Sequence, residues 1–498
     1  MTEPLLITSH TDWTQDLIER VYKEIEKIAY EELELEGLVY PNQLEIITAE
    51  QMIDAYASIG LPVHYNHWSF GKDFLRTQQA YEKGRQGLAY EIVINSSPCI
   101  SYLMEENSMM MQALVIAHAA FGHNAVFKNN ECFKQWTNAG SIVDYMSFAR
   151  DYIRKCEDRY GPEAVEMVLD AAHALAPHGV DKFKRKHKPK LNEELRLKKL
   201  IDDENRQQAE LDIVLKKTSF RDTEIEDAEV DDTEDEENLL YFIMKKSPNL
   251  EQWKREIIRI VYKINQYFYP QGQTQNLNEG FASFTHYYIM TRLEEKGILS
   301  SDAFIAFLDS HAGVLYQPEY NKRWYSGINP YALGFNILMD VKRICEKPTE
   351  EDRDWFPHLI GKRWQDAIKE AVFEHRDDSF IMQYLSPNVI RKMGLFSVNV
   401  TEDLENFEGQ KAVVSDIHDE AGYKQIRINL ARSYERINRV PQIAVTGADL
   451  EGDRTLYLEY IPYMGRKLDR ETAESVADYI DFLWGYPVEL DDGEPDED

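Results

Sequence analysis

The sequence predicts a mainly α-helical protein in which a large multi-helix N-terminal domain carries a charged insertion and is followed by a small α+β C-terminal domain. Three observations predict it. Apolar residues recur at helical spacing through most of the first 392 positions, residues 182–238 separate into a basic and an acidic block, and from about Met393 the period shortens from 3.6 to 2. The expected division is 1–181 and 239–392 for the two parts of the helical domain, 182–238 for the insertion, 393–490 for the α+β domain and 491–498 for an acidic tail. A chain of 498 residues exceeds the usual size of a single core.

In chain order, Asp12–Glu36 places Leu17, Ile18, Val21, Tyr22, Ile25, Ile28 and Ala29 on one helical face. Ala49–Ile59 forms a second helix, stopped by Gly60 and Pro62. His64, His67, Trp68 and Lys72 follow in a loop that leads into a helix from Lys72 to about Gly84, and Tyr90–Asn95 reads as the strand of this half. Ser108–Phe121 is apolar almost all round, as an internal helix is, and Gly122 is placed to end or kink it. Ala139–Tyr160 and Gly161–Leu175 continue helically, the latter with Pro162 at its first turn.

The insertion holds nine Lys/Arg within Lys182–Leu200 and eleven Asp/Glu within Arg221–Asn238, with too few aromatic residues to offset chain entropy, so an exposed, partly disordered linker is expected. Helices resume at Pro248–Phe268, turn at Pro270–Gln273, and continue from Asn276 to Gly297. Asp302–Gly313, Pro330–Glu346 with Asn329 as its cap, Asp366–Glu374 and Ser379–Leu385 complete the helical part. Alternation then predicts strands at Phe396–Val400, Gln410–His418, Gln425–Leu430, Gln442–Thr446 and Thr455–Tyr460, backed by an Arg470–Trp484 helix.

Lys+Arg of 56 against Asp+Glu of 88 leaves a net charge of -32, which argues against nonspecific nucleic-acid binding. The N-terminus shows no basic-then-apolar leader, and no run of about 18 apolar residues could span a bilayer, so no membrane insertion and a cytoplasmic location are expected. Cys99, Cys132, Cys156 and Cys345 lack the spacing of a zinc ribbon or disulfide framework.

The residues able to carry chemistry sit on two apolar helices. His118 and His123 share the first; Glu279 and His286 share the second, seven apart and therefore on one face. Such a set suits a metal site between packed helices. His118 and His123, five apart, lie about 140° apart around a straight α-helix, so a break at Gly122 is expected to bring them together. Glu279 has an alternative reading as a favourable charge in the first turn of a helix capped by Asn276 or Asn278. Lys72, Lys128, Asn129 and Asn130 are polar groups near apolar helix ends, suited to an anionic or amide-rich ligand, and His67, which with His64 is spaced i, i+3 in a loop, is a further ligand-binding candidate.

The segments GLPVHYNHWSFGK, HAAFGHNAVFKNN, CEDRYG, NEGFASFTHY and NPYALGFNI, in this order, resemble the SpoVR family, named for stage V sporulation protein R, over residues 10–390, and the C-terminal domain resembles that family's C-terminal portion. The resemblance implies a bacterial cytoplasmic protein linked to the spore cortex, a peptidoglycan layer, or to stress physiology. It also implies protein partners, a serine protein kinase and a protein with a von Willebrand-type domain. The two helices further resemble zinc peptidases that take a third ligand from an NExxA-like helix, here Asn278, Glu279 and Ala282, which implies a divalent metal such as zinc. Ala119 stands where those peptidases carry their general base, so Glu91, Glu105 and Glu106 become the candidate acids. Two functions follow: a metal-dependent hydrolase with His118, His123, Glu279 and His286 around the ion, or a noncatalytic scaffold whose polar residues fasten its helices.

Overall fold

The computed structural model describes residues 5–57, 65, 67, 68, 72, 75, 91–182, 238–318, 327–395, 419–435, 442–450, 452–461 and 470–491. The architecture is mainly helical, with a small three-stranded sheet near the C-terminus. All of the expected helix from Lys72 to Gly84 except Lys72 and Leu75, the interior of the 182–238 insertion, the strands at 396–400 and 410–418 and most of the acidic tail lie outside the described residues.

Helix α1 (Gln15–Glu31), capped by Thr14, buries Ile18, Val21, Ile25, Ile28 and Ala29, the face its spacing predicts. Strand β1 (Asn42–Ile47) and helix α2 (Ala49–Ala57) precede β2 (Glu91–Ile94) and β3 (Cys99–Met104). These form a sheet of order β1-β3-β2, with β1 parallel and β2 antiparallel to the central β3. Alternation singles out only β2, because β3 is buried almost throughout and β1 nowhere fully, so neither shows the period-2 signature of a half-buried strand.

Helix α3 (Met109–Ile116) then passes without interruption into a π turn (Ala117–His123) and α4 (Asn124–Asn129). Short α5 (Glu131–Trp136) leads to α6 (Ile142–Tyr160) and α7 (Pro162–Ala174), and beyond the insertion come α8 (Leu239–Lys246) and α9 (Gln252–Gln273). The turn expected at Pro270–Gln273 is helical: α9 runs through the buried Pro270, whose carbonyl accepts from the Thr274 hydroxyl at 2.9 Å. Only Thr274 separates α9 from α10 (Gln275–Glu295). Helices α11 (Ser301–Val314), α12 (Pro330–Glu346), α13 (Glu350–Trp355), α14 (Trp364–Phe373), α15 (Asp377–Tyr384) and α16 (Pro387–Met393) follow, with Asn329 capping α12 as expected.

The strand expected at Gln425–Leu430 is instead part of helix α17 (Glu420–Tyr434). The alternation of QIRINL imitates a strand, but Tyr423, Arg427 and Ala431 recur every four residues and face the helical body. Tyr423 and Ala431 are buried there, while the Arg427 guanidinium donates to the Leu385 carbonyl and lies 4.6 Å from the Trp355 ring centroid.

Strands β4 (Gln442–Ala448) and β5 (Leu456–Ile461), helix α18 (Arg470–Trp484) and strand β6 (Val488–Asp491) close the chain. In β5, Leu456, Leu458 and Tyr460 point inward with exposed residues between. This unit shares a core with α7, α8 and α9, where the buried Trp484 stacks on Phe242 at 5.8 Å. A second core joins α1, the α3–π–α4 helix, α10, α11, α12 and α14 to α17. The candidate site lies where α10 crosses the π turn and β2.

Candidate metal centre

The π turn solves the histidine spacing without a break. Its hydrogen bonds run to the fifth residue back, as from the Asn124 N–H to the Ala119 carbonyl, so residues five apart stack one turn above another. His118 and His123 consequently face the same way, with ring centroids 4.7 Å apart. Gly122 does not end the helix. Its missing Cβ lets α10 approach: a Cβ there would stand 2.5 Å from the Ala282 Cα. Across the other face of α10, a Cβ on Gly280 would stand 2.4 Å from the Gly334 Cα, so α12 is held equally close.

Glu279 is not a first-turn charge. Helix α10 starts at Gln275, and the carboxylate of Asp377 accepts from the backbone N–H of Asn276 at 2.9 Å and of Leu277 at 3.0 Å, filling the role of the acidic cap. Asn276 and Asn278 do not cap it; the Asn276 amide donates to Asp377, and Asn278 Oδ1 accepts from His123 Nδ1 at 2.8 Å. Glu279 is thus free to point across the interface.

Four polar atoms converge. His118 Nε2 lies 3.1 Å from Glu91 Oε1 and 3.7 Å from Glu279 Oε2, and His123 Nε2 lies 3.9 Å and 3.5 Å from the same two oxygens. Glu91 Oε2 and Glu279 Oε2 are buried and have no hydrogen-bond partner. The Glu91 and Glu279 side chains keep 18% and 23% exposure against 6% and 9% for His118 and His123, so the cluster opens towards solvent on its carboxylate side.

Behind the cluster the ring nitrogens are engaged. His118 Nδ1 meets His286 Nδ1 at 2.8 Å, and His286 Nε2 meets His311 Nδ1 at 2.8 Å. His286 therefore stands behind His118, both its nitrogens occupied, and Glu91 is the fourth group at the convergence point. The Tyr331 phenol, at the first turn of α12, donates to Glu279, and its ring is stacked on His118 at 6.4 Å.

Burial lowers His118 to about 4 and His311 to about 4, and, with the neighbouring histidines, holds His286 well below the ordinary range. Burial, reinforced by the charge of Glu279, pushes the Glu91 carboxyl well above its usual value. For Glu279 burial acts in the same direction but is outweighed by His123, His118 and Tyr331, which leave its carboxyl below the usual range. The two carboxyls are therefore pushed in opposite directions, Glu91 towards its neutral form and Glu279 towards its charged form.

The remaining sequence candidates lie elsewhere. Glu105 and Glu106 are exposed in the turn after β3. His67 pairs with Asp170 of α7 at 2.9 Å, and the Lys72 ammonium lies 5.6 Å from the Trp68 ring centroid. Lys128 donates to the Val39 carbonyl at 2.8 Å and Asn129 to the Leu38 carbonyl at 2.6 Å, fastening α4 to the segment before β1. His311 and Tyr331 have no motif in the sequence that marks them, and Glu91, a candidate acid there, stands among the ligand atoms. An acid opening an otherwise apolar strand was the available signal for Glu91; Tyr331 lay unremarked in NPYALGF.

Together these features define a helical protein with two histidines on a π turn facing two carboxylates, one from a helix and one from a strand. The chain belongs to the SpoVR family: the profile described as "SpoVR like protein" matches residues 12–439, and the "SpoVR-like C-terminal domain" matches residues 441–494. It is similar to the Escherichia coli (strain K12) protein described as "Uncharacterized protein YcgB", 48% identical over 483 residues, which cover 96% of this chain and 92% of that protein. No solved structure matches it. Among the described residues no helix is long and apolar enough to cross a membrane.

Proposed function

We propose that this chain is a metal-dependent enzyme of hydrolytic type whose divalent ion is held by His118, His123 and Glu279, with Glu91 beside it. One observation carries the reading. Four donors placed tetrahedrally at about 2.1 Å from an ion stand about 3.4 Å from one another. The four nitrogen–oxygen separations of 3.1, 3.5, 3.7 and 3.9 Å bracket that value, and ligand atoms of Glu91, His118 and His123 all lie within 4.8 Å of one another. The partnerless carboxylate oxygens support the same reading, since buried acceptors without donors are what a cation would satisfy. So does the His123 Nδ1 bond to Asn278 Oδ1, which leaves Nε2 with its lone pair.

His118, His123 and Glu279 come from helices locked together through Gly122 and Ala282, whereas Glu91 opens an edge strand. With an ion held by those three, Glu91 would stand beside the open position, suited to accept a proton from a water there. Three ligands and an open position lower the pKa of a bound water to about 7, enough for hydrolysis near neutrality. A peptide or peptidoglycan-related bond is the proposed substrate class, and its support is family membership.

A noncatalytic role alongside a serine protein kinase and a von Willebrand-type partner is favoured by the completed bonds of His286 and His123, which already tie α10 to α11 and the π turn. The partnerless oxygens count against it. Elemental analysis and Zn²⁺ titration of untagged full-length protein decide between them. One ion per chain, lost in His118→Ala and Glu279→Gln but kept in Glu91→Gln, is the expected result. Wild type that binds none, or His118→Ala that binds as well as wild type, overturns the metal reading.

A further inference from the structure

We propose that His286 and His311 are positioning residues of this centre, which without reaching the ion hold His118 in the tautomer that presents Nε2 to it. The inference rests on the metal reading above. A histidine that binds through Nε2 carries its proton on Nδ1. His118 Nδ1 lies 2.8 Å from His286 Nδ1, a separation that needs one proton between the two nitrogens, so His118 donates and His286 accepts. A neutral imidazole has one donor and one acceptor, which leaves the His286 proton on Nε2. That atom is 2.8 Å from His311 Nδ1, which accepts in turn. Coordination at one ring thus sets the tautomer of three.

The packing gives the outer rings few alternatives. His286 stands edge-on to Phe307 at 5.9 Å, and His311 lies against Tyr287 at 5.1 Å, Phe307 at 5.6 Å and Phe335 at 5.0 Å. Without an ion the opposite direction is also self-consistent. His118 then carries its proton on Nε2, 3.1 Å from Glu91 Oε1, and the two shared protons sit on His286 Nδ1 and His311 Nδ1. The chain has two coherent states, and ion binding selects one. Helix α11 is thereby linked to a centre it does not touch.

The test is Zn²⁺ affinity, measured against a competing chelator on untagged full-length protein. His311→Leu removes the acceptor for His286 Nε2–H and is expected to weaken binding 10- to 100-fold, the range found for lost outer partners of metal-bound histidines. In His311→Asn the amide oxygen stands near the Nδ1 position and accepts the same bond, so affinity recovers to within about threefold of wild type. Wild-type binding with His311→Leu unchanged overturns this inference and leaves the metal reading standing, as does equal weakening by Leu and Asn. Wild type that binds no Zn²⁺ overturns both. Should His311→Leu not fold, ¹H–¹⁵N correlation of the imidazole nitrogens in wild type still decides: Nε2–H on both His286 and His311 in the Zn²⁺ form supports the inference, and Nδ1–H on either ring overturns it.

Discussion

Helix α12 carries Tyr331 at its first turn, against the four-residue cluster, and Asp340 and Arg343 near its last, in another buried polar cluster. In the second cluster every carboxylate oxygen is satisfied by the protein. Asp340 Oδ1 accepts from Arg343 at 2.6 Å and Asn388 at 2.7 Å, and its Oδ2 accepts from Ser386 at 2.5 Å. Asp352 receives both terminal nitrogens of Arg343, at 2.7 and 2.8 Å, together with the Thr349 backbone N–H and hydroxyl. In the first cluster two carboxylate oxygens are left over. The completed set is architecture, joining α12 to α13 and α16. The incomplete one leaves buried acceptors without donors, the feature on which the proposed metal site rests.

The sharpest way to break this comparison is to remove a partner from the completed cluster. Arg343→Met leaves Asp340 and Asp352 buried without their cation, and a loss of about 3–5 kcal/mol in urea unfolding is expected, with Zn²⁺ affinity of the folded protein unchanged. A loss below about 1 kcal/mol would mean the two clusters are not different in kind.

Next in size is the contact that brings the open cluster together. Gly122→Val places a Cβ 2.5 Å from the Ala282 Cα and pushes α10 from the π turn. Overpacking of this sort costs about 1–3 kcal/mol. Unlike Arg343→Met, it should also weaken Zn²⁺ binding at least about tenfold, because Glu279 moves away from both histidines. Unchanged affinity in a destabilised variant would show that the close crossing serves packing alone.

This glycine also shows how much was legible in the sequence. Helices such as α1 could be read because their apolar faces repeat at helical spacing, and those around Gly122 because they are apolar almost all round. The π turn could not, since AHAAFGH is buried on every side and offers no periodicity from which to tell a wider turn from an α-helix. Gly122 then looked like a helix breaker, although its use is steric and its partner, Ala282, is distant in sequence. The same limit hid Asp377 as the cap of α10, Glu91 as the fourth member of the cluster and His311 as the end of a chain. Each acts across more than 20 intervening residues, and local pattern carries no information on such contacts. At Gln425–Leu430 a true pattern pointed to the wrong element, because a helix whose charged residues fall between apolar ones also alternates.

The two clusters should also differ under acid. Asp352 is held at about 2: burial alone would raise it, but Arg343 and Thr349 outweigh that effect. A lowered carboxyl contributes stability that is fully present above the unfolded value of 3.8 and is lost as pH falls from there towards about 2. The contribution is about 2 kcal/mol. The stability gap between wild type and Asp352→Asn, followed by thermal melts, should therefore be constant from pH 7 to pH 4.5 and narrow below pH ~4. A gap that persists undiminished at pH ~3 would assign it to packing and not to charge.

The smallest effect on stability belongs to the open cluster itself, and it is the most informative. Glu279→Gln keeps the shape and the bond from Tyr331 while removing one of two carboxylates that face each other. In metal-free protein the change should stay within about 1 kcal/mol of wild type, because the lost interaction with the two histidines is offset by relief of the repulsion between the two carboxyls. Zn²⁺ should then separate the two proteins. At a hundred times the dissociation constant an ion that binds only the folded state stabilises it by about 2.7 kcal/mol. Wild type should show that gain as a rise in melting temperature and Glu279→Gln should not. A large loss from Glu279→Gln without metal, like the one expected of Arg343→Met, would instead place Glu279 in the architecture and make the two ends of α12 alike.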